Sequence, residues 1–423
     1  MSSSAVANGK PVRLARNRSF TVLWVGQGCA EIGFSASMLA FPLVVLVVTG
    51  SAVASGLVLT ADAVAQAVLA LPGGALVDRW DRKRIMLACE VTQAVAVASL
   101  VVVLLLDRAT VVHLAAVAAV LGGCRALFEP AEDASLPALV PEEQLATAVA
   151  TNSARSSVGQ MAGTALGGVL FAVARWAPFL LDLLTHVIAF VMLLFLRMPA
   201  REVEPAPLRR LGPEISDGLR WLWRCKEIRV TTVCAVVLNT FFAAFYLVVI
   251  VLAQQRGTPS AEIGVMAAML GVGGVFGALA APWLNGRLSP HMAITAVFWV
   301  LTALAPLAVV VDSGYLLGVL FAGMALLAPT ANTTIVTHQL LLTPDALRGR
   351  LSGTLNLAVG AAAALGPALG GLLAESTSPA TAVLISAAGL ATAAVLVTVS
   401  PTLRRYPGRT DSTDTTDSEE QNR

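Results

Sequence analysis

The sequence predicts an all-α membrane protein, with twelve transmembrane helices in two pseudo-symmetric six-helix bundles. Three observations carry that expectation: a composition too apolar for a soluble surface, apolar runs recurring along the chain, and a repeat between its halves. Hydrophobic residues make up 57% of the 423 positions and charged residues 13%, with a mean hydropathy of +0.77. Soluble domains carry roughly 45–50% apolar and about 25% charged residues.

A run of about 20 apolar residues crosses a ~30 Å hydrocarbon core. Such runs fall near 20–47, 53–76, 84–106, 111–139, 145–172, 177–197, 228–252, 261–284, 291–311, 314–338, 346–373 and 380–399. Glycine and proline inside several of them are tolerated in membrane helices better than in soluble ones. An even number of crossings puts both termini on one side, and basic residues mark the cytoplasmic side. One set of connections holds Lys10, Arg13, Arg16, Arg18, the cluster Asp78–Arg84, the stretch Arg197–Arg229, Arg287, Arg348, Arg350 and the tail arginines. The other set holds only Arg108, Arg175 and Arg256. Both termini are therefore expected in the cytoplasm, and the N-terminus shows no cleavage pattern, so it reads as uncleaved.

The halves share a register. "GTALGGVL" at 163–170 and "GPALGGLL" at 366–373 each begin 22 positions after a proline that opens a helix, Pro141 and Pro344. A weaker match pairs Gly56 with Gly264, Leu76 with Leu284 and Arg79 with Arg287. The domains read as a cytoplasmic N-terminal segment 1–19, a six-helix bundle 20–197, a central cytoplasmic loop 198–227, a second bundle 228–400 and a disordered acidic tail 401–423. The central stretch is Pro-rich and basic, with an amphipathic piece around Ile215–Trp223. Two parallel repeats enclosing a site near the midplane form a transporter architecture.

"GALVDR" at 74–79 followed by Arg82, Lys83 and Arg84 resembles the loop signature between helices two and three of the major facilitator superfamily, with Asp81 where that signature has glycine. The form "DRWDRKR", together with "VTGSAVASGL" at 48–57, "EPAEDASLPALVPEEQL" at 129–145, "PDALRGRLSG" at 344–353 and the central "DGLRWLW", is similar to the macrolide-efflux and enterobactin-exporter branch. The resemblance implies the major facilitator fold. It also implies a conformational latch of Gly74, Asp78, Arg79, Arg82, Lys83 and Arg84 against Arg348 and Arg350 at the start of helix eleven. In this picture Gly73 and Gly74 let helix two approach helix eleven, Asp78 faces the positive end of that helix, and the contact latches the cytoplasmic side shut in the outward-facing state. Gly366, Pro367, Gly370 and Gly371 resemble a signature that drug–proton antiporters of the superfamily carry in helix five. Helix five here has Thr164 in the proline's place. Gly163, Gly167 and Gly168 form a strip suited to close helix approach, either as packing or as a sliding surface.

Ionisable residues inside a span are costly and are functional candidates by default. Most are in the first half, namely Glu31, Asp62, Arg125, Glu129, Glu132, Asp133, Arg155, Asp182 and His186. Arg125 and Glu129 share a helix face and can neutralise each other. Glu132 and Asp133 are expected near the wet cytoplasmic end, and Asp182 near the outer boundary. Glu31 and Asp62 are deep, with no partner on their own helix. Each can either carry a proton as its exposure alternates or form a fixed contact with Arg125 or Arg155. The second half offers Asn239, Tyr246, Asn332 and His338. The expected cavity, between helices one, four, seven and ten, draws on Trp24, Gln27, Glu31, Arg125, Asn239, Phe242, Tyr246 and Asn332, with Asp62 and Glu129 as further coupling candidates.

No Walker loop is present, and "GVGGVFG" at 271–277 lies inside an apolar span without the strand and acidic residue that dinucleotide binding needs. Cys29, Cys89, Cys124, Cys225 and Cys234 show no ligand spacing, and the four histidines are dispersed. The sequence thus predicts no metal, no cofactor, no nucleic-acid partner and no enzymatic chemistry. It predicts a monomer in a bacterial inner membrane, with protons as the energy source and lipid and a small molecule as its partners. The expected activity is export of a small amphipathic molecule such as a drug, antibiotic or siderophore-like product. The alternatives are a metabolite importer whose Arg125 binds a carboxylate, or a sensor that keeps only the scaffold.

Overall fold

The computed structural model describes Leu14, residues 17–198 and residues 211–404. Within the helices, the side chains at 71–72, 74–75, 78, 142, 211–215, 217–218, 340–341, 345–346, 348–350, 352 and 356 lie outside that description. Among the described residues all regular structure is helical. Twelve segments are long and apolar enough to cross a membrane. The first bundle consists of α1 (Arg18–Thr49), α2 (Ala52–Arg79), α3 (Arg82–Leu105), α4 (Val111–Leu139), α5 (Glu142–Val173) and α6 (Ala177–Phe195). A connecting helix, α7 (Leu211–Arg224), overlaps the expected amphipathic piece. The second bundle consists of α8 (Lys226–Gln255), α9 (Ser260–Asn285), α10 (Pro290–Leu304), α11 (Gly314–Ala325), α12 (Ala328–Leu342), α13 (Asp345–Ser376) and α14 (Pro379–Val399), followed by the short α15 (Pro401–Arg404). The expected tenth span is broken into α11 and α12, and a 3-10 turn over Ala305–Val309 closes the ninth.

Helix starts follow the local chemistry. Asn17, Ser51, Asp81 and Thr110 accept the first free amides of α1 to α4 through their side-chain oxygens. Prolines occupy the N-cap of α5, α9 and α13, where their missing N–H costs nothing. The αL cap of α1 falls at Gly50, with φ of 69°. Valines and leucines such as Val68, Val95, Val173, Leu279 and Leu396 are exposed on the outside, as a lipid-facing surface requires.

The repeat governs how the bundles meet. Gly163 and Gly167 of α5 pack on Ile32 and Ala36 of α1, while Gly366 and Gly370 of α13 pack on Thr240, Ala243 and Ala244 of α8. The third glycine of each set turns to the other bundle. Gly168 lies on Ser260 and Gly264 of α9, and Gly371 lies on Ala52 and Val53 of α2. Gly56 meets the Pro367 carbonyl, and its repeat partner Gly264 meets the carbonyls of Thr164 and Ala165. Two seams of near-identical construction therefore join the halves, both toward the end remote from the chain termini, here called the distal end. The α2–α13 seam is also hydrogen-bonded. Thr60 Oγ1 donates to Ala364 O (2.9 Å), and Glu375 Oε2 accepts from Ser51 Oγ (2.6 Å) and the Val53 amide (3.0 Å) at the start of α2.

One apolar core spans both bundles at the distal end, with Phe41 and Phe179 from the first and Phe245 and Phe321 from the second. Toward the proximal end, which carries the termini, the cores separate. Phe20, Met86 and Leu193 belong to a core in the first bundle, and Ile294, Phe298 and Leu403 to one in the second. The bundles thus share one core distally and have separate cores proximally, the arrangement of a form open on the proximal side.

The latch is expected of the form shut on the cytoplasmic side, and at Gly73 its contact is not made in this one. Gly73 packs against Ala126 and Leu127 of α4, not against α13, because α2 and α13 meet at their distal halves. The side chains of Asp78, Arg348 and Arg350, and position Gly74, lie outside the described residues. The rest of the cluster has other work here. Asp81 Oδ1 accepts from the Arg84 amide (3.0 Å), Lys83 Nζ donates to the carbonyls of Leu194 (3.0 Å) and Leu196 (2.7 Å), and Arg82 donates to the Ala134 carbonyl. Cations placed at the C-terminal ends of α4 and α6 oppose their dipoles.

The seams make a direct prediction. A side chain at Gly168 meets backbone atoms that cannot yield, so Gly168→Val should cost the distally closed state about 1–3 kcal/mol. In a background without native cysteines, a cysteine at the buried Ala52 should then react faster with a membrane-impermeant maleimide. An unchanged rate would show that the seam does not hold the distal end shut.

Candidate functional site

A cavity of about 300 Å³ lies within the first bundle. Five helices line it: α1 through Gln27, Glu31 and Phe34, α3 through Glu90 and Gln93, α4 through Arg125, Glu129, Glu132 and Asp133, α5 through Asn152 and Arg155, and α6 through His186. It runs from mid-depth toward Leu136 and Val149 near the proximal end.

Low dielectric makes each ionised group seek a partner. Arg125 Nε bonds Glu129 Oε1 at 2.5 Å and its Nη2 lies 3.6 Å from Glu31 Oε2, with the guanidinium 4.5 Å from the Phe34 ring centroid. Arg155 grips Glu132 with two hydrogen bonds, 2.6 and 3.2 Å, and Asn152 Nδ2 approaches the same carboxylate at 3.5 Å. Gln27 Nε2 donates to Glu90 Oε1 (3.1 Å), Glu90 Oε2 is 2.7 Å from His186 Nδ1, and His186 Nε2 is 3.3 Å from Asp182 Oδ1. Three acids sit opposite glycines on neighbouring helices, where a larger residue would leave no room: Glu31 at Gly159, Asp62 at Gly122 and Asp182 at Gly33.

Of the expected site residues, Gln27, Glu31, Arg125 and Glu129 are brought together on the cavity wall. Asp62 is packed on α4, with Oδ1 buried and without a hydrogen bond. Trp24 Nε1 donates to the Thr151 carbonyl (3.3 Å) beside the proximal core. Asn239 Nδ2 turns back to Ala235 O (2.8 Å), Phe242 and Tyr246 pack into the distal core, where Tyr246 stacks edge-on against Phe321, and Asn332 is exposed. None of these last four lines this cavity.

Two expectations are corrected. Glu132 is not wetted at a helix end but buried in the Arg155 pair, with 9% of its side chain exposed. Asp182 is not at a wet boundary but wholly inside the protein between α6 and α1. Glu90 and Gln93 were missed in the sequence. The signal for Glu90 was present, as an acid inside an apolar run, but its closeness to the charged 78–84 cluster made it look hydrated.

Two pseudo-symmetric six-helix halves, the first enclosing a polar intramembrane cavity, define a multi-pass membrane protein with the major facilitator fold. The chain belongs to the transmembrane secretion effector family, whose model matches residues 11–420. It is 26% identical over 370 residues to the multidrug efflux pump Tap of Mycolicibacterium fortuitum, covering 82% of this chain and 87% of that protein. It is 24% identical to the enterobactin exporter EntS of Salmonella paratyphi A, covering 93% and 95%. Among solved structures, a bacterial homologue of the human lysosomal transporter Spinster, inward-facing and unoccupied, superposes with a TM-score of 0.73 at 15% identity, over 92% of this chain and 97% of that one. The crystal structure of the nucleoside transporter NupG gives a TM-score of 0.71, at 13% identity over 92% and 100%.

The Arg155–Glu132 pair makes the second prediction. Removing one member of a buried pair strands the other charge, which costs about 3–5 kcal/mol. Arg155→Ala should therefore lower the Tm of the purified protein markedly, and adding Glu132→Gln should recover most of the loss. An Arg155→Ala variant as stable as the wild type would show that Glu132 has another cation.

Proposed function

We propose that this chain is a secondary active transporter of a bacterial inner membrane, with both termini cytoplasmic, that exports a small amphipathic organic molecule by proton antiport. The carrying observation is the polar cavity of the first bundle, whose carboxylates outnumber its cations. Glu31, Glu90, Glu129, Glu132 and Asp133 face it, against Arg125, Arg155 and at most one charge on His186. A surplus of acid in a site of alternating exposure suits reversible protonation. With the termini in the cytoplasm, the proximal mouth is the side from which cargo enters, and drugs, antibiotics and siderophore-like products fit the mixed polar and aromatic wall. The relatives named as multidrug and macrolide efflux pumps and as enterobactin exporters support the direction and the cargo class. Arg125 is already engaged by Glu31 and Glu129, which argues against an importer that binds a carboxylate there.

Cells lacking the chain should accumulate more of at least one compound from a panel of amphipathic antibiotics and dyes, and a protonophore should abolish the difference. Glu31→Gln and Asp62→Asn, which disturb the acids around Arg125, should each lower export on the order of tenfold, equivalent to about 1.4 kcal/mol of barrier. Accumulation that falls on deletion would mean import, and no change with any compound would favour a sensor.

A further inference from the structure

The exporter reading leaves open where the exchanged proton resides, and Glu31 is already held by Arg125. The structure contains a second group of titratable side chains, deeper and without any arginine. Glu90 of α3 and His186 and Asp182 of α6 form a line in which the imidazole stands between two carboxylates, 2.7 Å from Glu90 and 3.3 Å from Asp182. Their side chains are 1%, 3% and 0% exposed. Asp182 is the unusual member, since the only polar group its carboxylate meets among the described residues is His186 Nε2, in a long 3.3 Å contact, and its other oxygen has no hydrogen bond. A carboxylate kept only for architecture would be expected to have its oxygens satisfied.

We propose that Glu90, His186 and Asp182 together hold the exchanged proton, with Glu90 as its point of entry from the cavity and Asp182 as its inner terminus. This rests on the antiport reading and assigns its coupling site. The charge balance favours it. With both carboxylates ionised and the imidazole doubly protonated, the three groups carry one net negative charge, and one added proton makes them neutral. The groups facing them do not supply that charge. From α1 come Gln27, bonded to Glu90, and Gly33, packed on Asp182. From α3 and α4 come the thiols of Cys89 and Cys124, which face each other beside Glu90. The arginines that line the cavity are committed elsewhere, Arg155 of α5 to Glu132 and Arg125 of α4 to Glu31 and Glu129.

Transfer needs no other reactant. A proton from cavity water binds a Glu90 oxygen as the Nε2 proton of the imidazolium moves to Asp182, leaving two neutral carboxyls about an imidazole that keeps its Nδ1 proton, and the reverse sequence releases one proton to the cavity. Glu90 and His186 lie on the cavity wall, so cargo and proton meet the same water. Gln27 and Gly33 carry the change in charge to α1, a helix of the distal closure.

The test uses the full-length protein in lipid vesicles with ethidium as probe. Asp182 is off the cavity wall, so Asp182→Asn should keep ethidium counterflow within about twofold of wild type while losing proton-driven accumulation and proton release on ethidium binding. Glu90→Gln should lose the same accumulation and proton release. A purely structural group would lower counterflow and driven transport together, and that result in folded Asp182→Asn protein overturns the proposal, as does driven accumulation at the wild-type level. Infrared spectra of the same samples give an arm that needs no cargo. Wild type should show a protonated-carboxyl C=O band that titrates with pH and shifts in D₂O, and each variant should lose it. If no such band exists in wild type, the proposal fails even where neither variant folds. If the band behaves as expected but wild-type vesicles show counterflow without proton-driven accumulation, the antiport reading fails instead.

Discussion

Close backbone approach between the two bundles is the contact on which the remaining architecture depends. Association inside a bilayer gains little from the hydrophobic effect and relies on van der Waals packing between small residues. Gly168 against Gly264 and Gly56 against Pro367 provide it at repeat-related positions. The same chemistry used twice gives two seams that flank the distal closure, and that closure sets the proximal opening. The seams differ in one respect: Glu375 caps the start of α2 across the α2–α13 seam, while the α5–α9 seam rests on backbone packing. A carboxylate at an exposed helix start is favoured by the helix dipole, so this seam carries a polar contact that the other lacks among the described residues.

The second organising feature is an asymmetry of polarity. The repeat is structural, but the charge is not repeated, as Arg155 against Ala358 at the same register shows. The first bundle carries the paired acids and the cavity, while Phe242, Phe245, Tyr246 and Phe321 of the second bundle are committed to the distal core. One half thus supplies a polar, charged wall, and the other an apolar counterpart.

Much of the fold was legible in the sequence because hydropathy, basic-residue placement and the glycine register are local signals. The twelve spans, the repeat and the pairs of packing glycines all follow from them. The pairing of charges was less legible. Arg125 with Glu129 is an i,i+4 relation and could be read directly, but Arg155 with Glu132 joins two helices, and nothing along the chain fixes their relative rotation. Glu90 was hidden by its neighbours, since charge close by in sequence imitates a hydrated helix end. The partner of Gly73 in this form was not legible, because a glycine announces that a helix approaches without saying which one, and the answer depends on which end is closed.

The central claim is that this proximally open form is one of two states that exchange about the glycine seams. Spin labels at Glu143 on α5 and Arg287 just beyond α9, both exposed near the proximal end, would report the opening between the bundles by electron–electron distance measurement in lipid nanodiscs. The account predicts a long-distance population at rest and a shorter one whose share changes with pH and with ethidium. A single long distance, unmoved by either in protein shown to transport ethidium, would contradict it.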